Sequence, residues 1–398
     1  MKLQAYPLAW ARHEAVRQAA TRWLRRRWIS PAQHAAIEAA HPLDFFRPHP
    51  LLRALLFGFT WFAGASASAL WGVATQFHVS SLAVMSALGG LVALELFIRS
   101  ARFYRAGPDA ALLYMVLGWL IFLIGYAIES DAPSGLYGSA ETLWLLRRTL
   151  PPVLLLLLAT TVRYADRLVA GGAFLTYLLW LAVLLLGFDA GRLVLPFALM
   201  LACVAAYGLI RRLEHQLGQL RSYYRASLQT VQASVLICFY LAGNYLVVRE
   251  GNAALSDGYE PVSRQIPLAG VFYFLTAAVP LLYIYVGLRR HNRLWLIVGL
   301  LALAFSGYTL RHYRSLLPPE IAATFLGAAL IVLVLVLLRY LRTPRHGLTV
   351  TADADQPPPF DLEALVVAET APAPVTAEAP GLQFGGGQSG GGGAEGAY

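Results

Sequence analysis

The sequence predicts an all-α fold, a polytopic transmembrane helix bundle of about ten spans, with both termini on the same side and a disordered C-terminal tail. Three observations predict it. The first is composition: 58% of the 398 residues are hydrophobic and only 13% are charged, with a mean hydropathy of +0.57. A soluble domain carries about 25% charged residues. The second is a series of apolar runs, at roughly 54–74, 80–98, 109–128, 149–163, 168–188, 192–210, 228–248, 266–288, 294–310 and 320–338. Most meet the ~17–25 residues that a helix needs to cross a bilayer. The third is where the charge lies. The net charge of +9 is carried almost wholly by arginine, since the only lysine is Lys2, and the arginines fall at the ends of the apolar runs. That pattern orients membrane helices and argues against nucleic acid as a partner.

Residues 1–50 read as a cytoplasmic basic helical hairpin ahead of the first run. From His13 to Arg27, Ala, Val, Trp and Leu recur at helical spacing, and the segment ends in Arg25, Arg26 and Arg27. Ser30 then stands where it caps a second helix, Pro31 suits the first turn and Gln33 completes a capping box. The second helix is expected from about Pro31 to Ala40, stopping near His41 and Pro42. The hairpin reads as a contact for a partner or for anionic headgroups, or as a basic segment that only orients the chain. No signal peptide is expected, because this Arg-, His- and Ala-rich stretch precedes the first run.

Residues 51–342 hold the predicted bundle. In the first run Gly64 and Ser68 stand four apart, a spacing that lets helix backbones approach closely. The fourth run, Thr149 to Val162, is short and opens on Pro151 and Pro152. A longer helix from Ser139, with Arg147 and Arg148 at its outer rim, is the alternative. Pro196, Pro267 and Pro280 lie in or at the ends of later runs, and Pro280 is expected to kink the eighth helix. Cys203 and Cys238 read as small hydrophobes.

The arginines then test the count. One set of connections holds Arg99, Arg102 and Arg105; Arg163 and Arg167; Arg211, Arg212, Arg221 and Arg225; and Arg289, Arg290 and Arg293. The alternate set is poorer, with Arg147 and Arg148, Arg192, Arg249 and Arg264, and Arg311 and Arg314. The rich set shares its side with the basic N-terminus and with Arg339, Arg342 and Arg345. The positive-inside rule therefore places both termini in the cytoplasm. The longest outer connections, Glu129 to Arg148 and Arg249 to Gln265, read as solvated loop surface.

Residues 343–398 form the predicted tail, rich in Pro and Ala and then in Gly. It carries Asp353, Asp355, Asp361, Glu363, Glu369, Glu378 and Glu395, with no Lys or Arg from Thr351 onward. Such a composition buries no core and is expected to be disordered. One island, Phe360 to Val367, is a candidate docking segment for a cytoplasmic protein partner through Phe360, Leu362, Leu365 and Val366.

The seventh run carries the main candidate site. Arg225, Gln229, Gln232, Leu236, Tyr240 and Asn244 recur at steps of three or four and share one helix face. Amides in a bilayer need partners. Gln229, Gln232, Tyr240 and Asn244 thus read either as a polar path or as interhelical packing glue. Glu95, an acid inside the second run, is expected to snorkel beside Arg99. Arg311, His312, Arg314 and Glu320 cluster at the outer ends of the last two runs.

No HExxH, CxxC, GxSxG or Walker glycine loop is present, and no histidines stand paired at metal spacing. No catalytic, cofactor or metal residues are therefore assigned.

Two features carry resemblances. The Trp- and Arg-rich first helix, Ile29-Ser30-Pro31-Ala32-Gln33 and the many spans resemble a class of uncharacterised bacterial predicted membrane proteins. The terminus Phe384-Gly385-Gly386-Gly387 through Gly396-Ala397-Tyr398 is similar to the glycine-rich tails of some bacterial membrane proteins, including those with TPM domains. The resemblance implies a bacterial inner membrane and a tail-binding partner, and no activity. The expectation is an integral membrane protein that scaffolds or recruits partners. The alternatives are a small-solute or ion transporter with its path along the seventh span, and a lipid-modifying enzyme.

Overall fold

The computed structural model describes residues 4–46, 48–133, 138–188, 190–255 and 265–313, and isolated positions between 324 and 339. Among these residues the fold is all-α. The only β pairing is a single bridge between Phe46 and Phe103. The tenth predicted run, 320–338, falls for the most part outside the described residues, and the tail 343–398 with its docking segment Phe360, Leu362, Leu365 and Val366 falls outside them entirely.

The chain opens on α1 (Leu8–Arg25) and α2 (Pro31–Ala40). The capping box is present: the Gln33 N–H donates to Ser30 Oγ at 3.2 Å, and the Ser30 N–H donates to Gln33 Oε1 at 2.8 Å. The two helices are tied by Arg17 on Glu38 at 2.6 Å. The bundle follows as α3 (Pro50–Ala74), α4 (Val79–Arg99), α5 (Pro108–Ser130), α6 (Ser139–Tyr164), α7 (Arg167–Leu185) and α8 (Gly191–Gln216). It continues with α9 (Arg221–Gly243), α10 (Tyr245–Ala254), α11 (Ala269–Arg289) and α12 (Arg293–Tyr313).

Among the described residues, nine helices are long and apolar enough to cross a membrane: α3 to α9, α11 and α12. Their outward faces carry large apolar side chains in the open. Phe59 and Phe62 are each 72% exposed, Leu201 70% and Phe274 70%. Such surfaces are stable against hydrocarbon and costly against water. The molecule is therefore a polytopic membrane protein.

Helix ends follow local chemistry. Pro50 and Pro108 open α3 and α5, where a missing N–H costs nothing. Asp166 caps α7, accepting from the N–H groups of Leu168 and Val169 at 2.9 and 3.0 Å. Short connections make successive helices antiparallel neighbours. The N-termini of α3, α5, α7 and α9 thus share one end of the bundle, here the hairpin end, and their C-termini share the opposite end. Arg99, Arg163, Arg167, Arg221, Arg289 and Arg293 all stand at hairpin-end helix termini, the grouping the sequence predicts.

Four apolar clusters form the core, and α9 contributes to three of them; the fourth gathers Tyr245, Ile266 and Phe272. Tyr223 joins Leu94, Leu112 and Tyr164; Val235 joins Phe174 and Cys203; Leu236 and Tyr240 join Val279, Tyr283 and Val298. Glycine stands where α11 meets the backbone of α12 and where α3 meets the Met115 side chain of α5. A Cβ on Gly287 would lie 2.8 Å from the Leu296 nitrogen, and one on Gly64 would lie 2.6 Å from Met115 Sδ. The Gly64 spacing therefore serves packing of α3 on α5.

Two expectations need correction. The fourth span is the longer alternative: α6 runs from Ser139 with Pro151 and Pro152 inside it, because both prolines fall in its interior without ending it. The seventh run, read as one helix over 228–248, is two helices. The chain breaks at Asn244, whose φ of −81° and ψ of 129° are extended, because its side chain caps a new helix. The N-terminal hairpin is packed onto the bundle. Tyr6, Ala11 and Phe45 lie in the same buried cluster as α4, α5, α6 and α9 residues.

Candidate functional site

The polar chemistry of the bundle is gathered in three places along α9. The largest lies at the hairpin end. There the α6 C-terminus leaves carbonyls without intrahelical partners, and hydroxyl groups from α9 supply donors. Tyr224 donates to the Val162 carbonyl at 2.6 Å, Tyr223 to that of Arg163, and Ser227 to that of Ala165 at 2.6 Å. The Ala5 N–H adds a bond to the Arg163 carbonyl at 2.9 Å. Ala165 takes the left-handed conformation, φ 50°, which turns the chain sharply into Asp166 and α7.

Beside this turn stands Asp109, 2% exposed. One of its oxygens accepts from the Tyr6 hydroxyl at 2.8 Å and the Arg105 N–H at 2.7 Å. The other accepts from the N–H groups of Ala106 and Gly107, both at 3.0 Å. The carboxylate is thus satisfied by four donors, and through Tyr6 it holds the N-terminal segment. Burial, and then the Asp109 charge, push the Tyr6 phenol well above its ordinary pKa, so it stays a donor at neutral pH. Tyr104 beside it is raised by burial. Around Tyr104 the rings of Tyr6 and Phe45 pack edge-on, with centroids 5.1 and 5.0 Å away. Tyr114 donates to Asp166 at 3.1 Å.

Glu95 belongs to the same region. Its expected partner Arg99 lies at 3.4 Å, but Arg163 lies at 2.5 Å and the Tyr164 hydroxyl donates to it at 2.8 Å. The expected pairing with Arg99 is present, and Glu95 is in addition a cross-helix tie from α4 to α6, because the last turn of α6 brings two donors against it.

The second place is midway along α9, where Gln232 donates to Glu214 of α8 at 2.8 Å. The third is the break at Asn244, fully buried. Asn244 Oδ1 accepts from the Leu246 and Val247 N–H groups at 3.0 and 3.3 Å, capping α10. Its amide nitrogen donates to the Tyr240 hydroxyl at 2.9 Å and to Thr309 Oγ1 at 3.1 Å. Tyr240 and Ser306 pair at 2.8 Å, and the Tyr245 N–H donates to Thr276 Oγ1 at 2.9 Å. One network therefore joins α9, α10, α11 and α12. Below it Tyr245 stacks on Tyr273 at 4.0 Å, and Arg249 lies over the Tyr313 ring at 4.5 Å.

The structure thus separates the four residues of the predicted polar face. Gln229 is exposed, Gln232 turns to α8, and only Tyr240 and Asn244 meet. One helix face faces different neighbours along its length, since α9 crosses α8 first and α11 and α12 later. Asp109 and Tyr6 escaped the sequence reading. Gly107-Pro108-Asp109 is a helix-start signal, but a partner 103 residues away leaves no local trace. His312 lies at the end of α12, edge-on to Tyr313 with centroids 4.9 Å apart.

Among the described residues no group of three His, Cys, Asp or Glu side chains is placed to hold a metal ion. Comparison with protein-family models, with curated proteins and with solved structures gave no match to this chain.

Proposed function

We propose that this chain is a membrane-embedded scaffold that presents its N-terminal hairpin to partners on one side of the bilayer. The observation that carries the reading is the docking of that hairpin through Tyr6 on Asp109. A segment that only orients a chain has no need of a buried anchor. The anchor leaves the far end of α1 in the open, with Arg25, Arg26 and Arg27 exposed, Trp23 40% and Trp28 66% exposed, and Arg26 over the Trp28 ring at 5.0 Å. Arginine and tryptophan on a held surface are the residues that dominate protein interfaces, and their charge selects an acidic partner surface. The tail 343–398, with Phe360, Leu362, Leu365 and Val366, is the second recruiting element of this reading. The arginine distribution supports cytoplasmic termini, and the similarity of the glycine-rich terminus supports a bacterial inner membrane.

The test is a photocrosslinking amino acid in place of Trp28 in native membranes. Discrete protein adducts are expected, and they should vanish when Arg25, Arg26 and Arg27 are changed to Ala. An adduct pattern indifferent to that change, together with a partner list unchanged by truncation after Arg345, would refute the reading.

A second reading, a small-solute carrier, is favoured by one observation, the break of α9 from α10 at Asn244. Interrupted helices line the binding sites of many carriers. Against it stands the use of Gln232, Tyr240 and Asn244 in internal hydrogen bonds. Solute flux in proteoliposomes that survives alanine at Gln229, Gln232 and Asn244 together would remove this path.

A further inference from the structure

We propose that a cavity beside the α9–α10 break binds a small anionic amphiphile, a single carboxylate on an apolar body. The cavity has a volume of about 420 Å³ and lies between α8, α10 and α11. Small-molecule sites span roughly 300–1,000 Å³, so it has room for a single-chain molecule.

The break builds this space. Ala242 in the last turn of α9 and Val247 in the first turn of α10 both line it. Were α9 to run on straight through Asn244, those two walls would belong to one helix and the recess between them would close. The polar groups of the break itself point the other way, into the network with Tyr240, Ser306 and Thr309, so the wall they leave behind is apolar.

The polar side chains of the lining stand at one end. Arg192, in the first turn of α8, and Asn252, near the end of α10, stand at the bundle end. Leu195 and Leu199 lie about one and two turns deeper along α8, with Ala242 and Phe272 beside them. One charged side chain at the bundle end of an otherwise largely apolar cavity is the complement of an amphiphile with its head toward the membrane surface. Arg192 has no carboxylate partner among the described residues, and its planar fork matches a carboxylate with two parallel hydrogen bonds. Of the other arginines near this end, Arg148 lies over the Trp144 ring and Arg249 over that of Tyr313, and neither lines the cavity. The site stands independently of the scaffold reading, since it uses neither the hairpin nor the tail.

The experiment uses the full chain in phosphatidylcholine nanodiscs and a diazirine-bearing medium-chain carboxylate as photolabel, with the labelled peptides mapped by mass spectrometry. Label is expected on peptides holding Leu195–Leu199 and Phe272. Decanoate should compete it away at about tenfold lower concentration than decanol, the factor that a charge-assisted hydrogen bond supplies. Arg192→Gln should erase that difference and Arg192→Lys should keep part of it. Leu199→Trp should abolish the label by filling the floor, while thermal unfolding reports that each variant is folded. Three results would overturn the proposal. They are decanol competing as well as decanoate, a two-chain anionic phospholipid competing as well as decanoate, and label spread equally over lipid-facing residues such as Phe59 and Phe62.

Discussion

Changing Tyr6 to Phe tests the anchor on which the hairpin depends. The ring stays, with its edge-on packing against Tyr104 at 5.1 Å and Tyr164 at 6.4 Å, and only the hydroxyl bond to Asp109 at 2.8 Å is lost. A hydrogen bond to a charged group contributes about 1.5–3 kcal/mol. Asp109 keeps three backbone N–H donors, so it is not orphaned, and the lower part of that range applies, about 1.5–2 kcal/mol. If α1 opens from the bundle as a local unit, that loss raises the open population about 10–30-fold. Hydrogen exchange of the α1 amides reads it directly, measured on the protein in nanodiscs and referenced to amides of α9. Asp109→Ala should act more strongly. It strips the acceptor from three backbone N–H groups and from Tyr6, which costs about 4 kcal/mol or more. Combining the two changes should add little to Asp109→Ala alone, since both act on one bond. If α1 amides in Tyr6→Phe exchange within twofold of the unaltered protein, ring packing alone docks the hairpin and the anchor argument fails.

Asn244→Ala removes the cap of α10 and leaves the Leu246 and Val247 N–H groups without their acceptor, while the Thr309 hydroxyl keeps the Phe305 carbonyl. A loss of about 2–4 kcal/mol follows, read as a lowered Tm in detergent; an unchanged Tm would mean that the break is not held by this side chain. Gly107→Ala combines a φ of 114° with a Cβ placed onto the Arg53 carbonyl, and about 3 kcal/mol is expected to be lost. Gly138→Ala, at φ 66° but with nothing within 4 Å, should cost about 1 kcal/mol, so equal effects would refute the clash. The Arg17 hydrogen bond holds Glu38 below its ordinary carboxylate pKa of 4.5. The tie between α1 and α2 is therefore fully present above pH 4.5 and is lost as pH falls through the lowered value. Spin-label distances between α1 and α2 should hold from neutral pH down to that point and lengthen below it. Glu38→Gln should remove the pH response.

The positions of the helices were legible because their signals are local. Length and hydropathy mark the spans, and Pro31 marks the start of α2. Ser30 and Gln33 gave the capping box of α2 at sequence range. What was missed has the opposite character. The break at Asn244 is marked in the sequence only by Gly243 and Asn244 themselves, a weak signal inside an apolar run that Tyr245, Leu246, Val247 and Val248 continue. Only the acceptors and donors that α11 and α12 bring to Asn244 make an extended residue cheaper there than another helical turn.

Asp109 shows the same limit. An acid at the edge of an apolar run is ordinary by pattern, and its four donors come from a loop and from a segment more than a hundred positions upstream. Glu95 had a local partner in Arg99 and a closer distant one in Arg163, and spacing along one helix reveals only the first.

By itself the sequence determined that this chain lives in a membrane as helices, because backbone groups in hydrocarbon must pair within their own segment and burial in lipid follows from side-chain chemistry alone. The tertiary structure decided which polar groups meet, where the seventh span gives way, and that a cavity opens beside that point. Those outcomes depend on distances between separate helices, and a polar side chain carries no mark of the neighbour that will satisfy it.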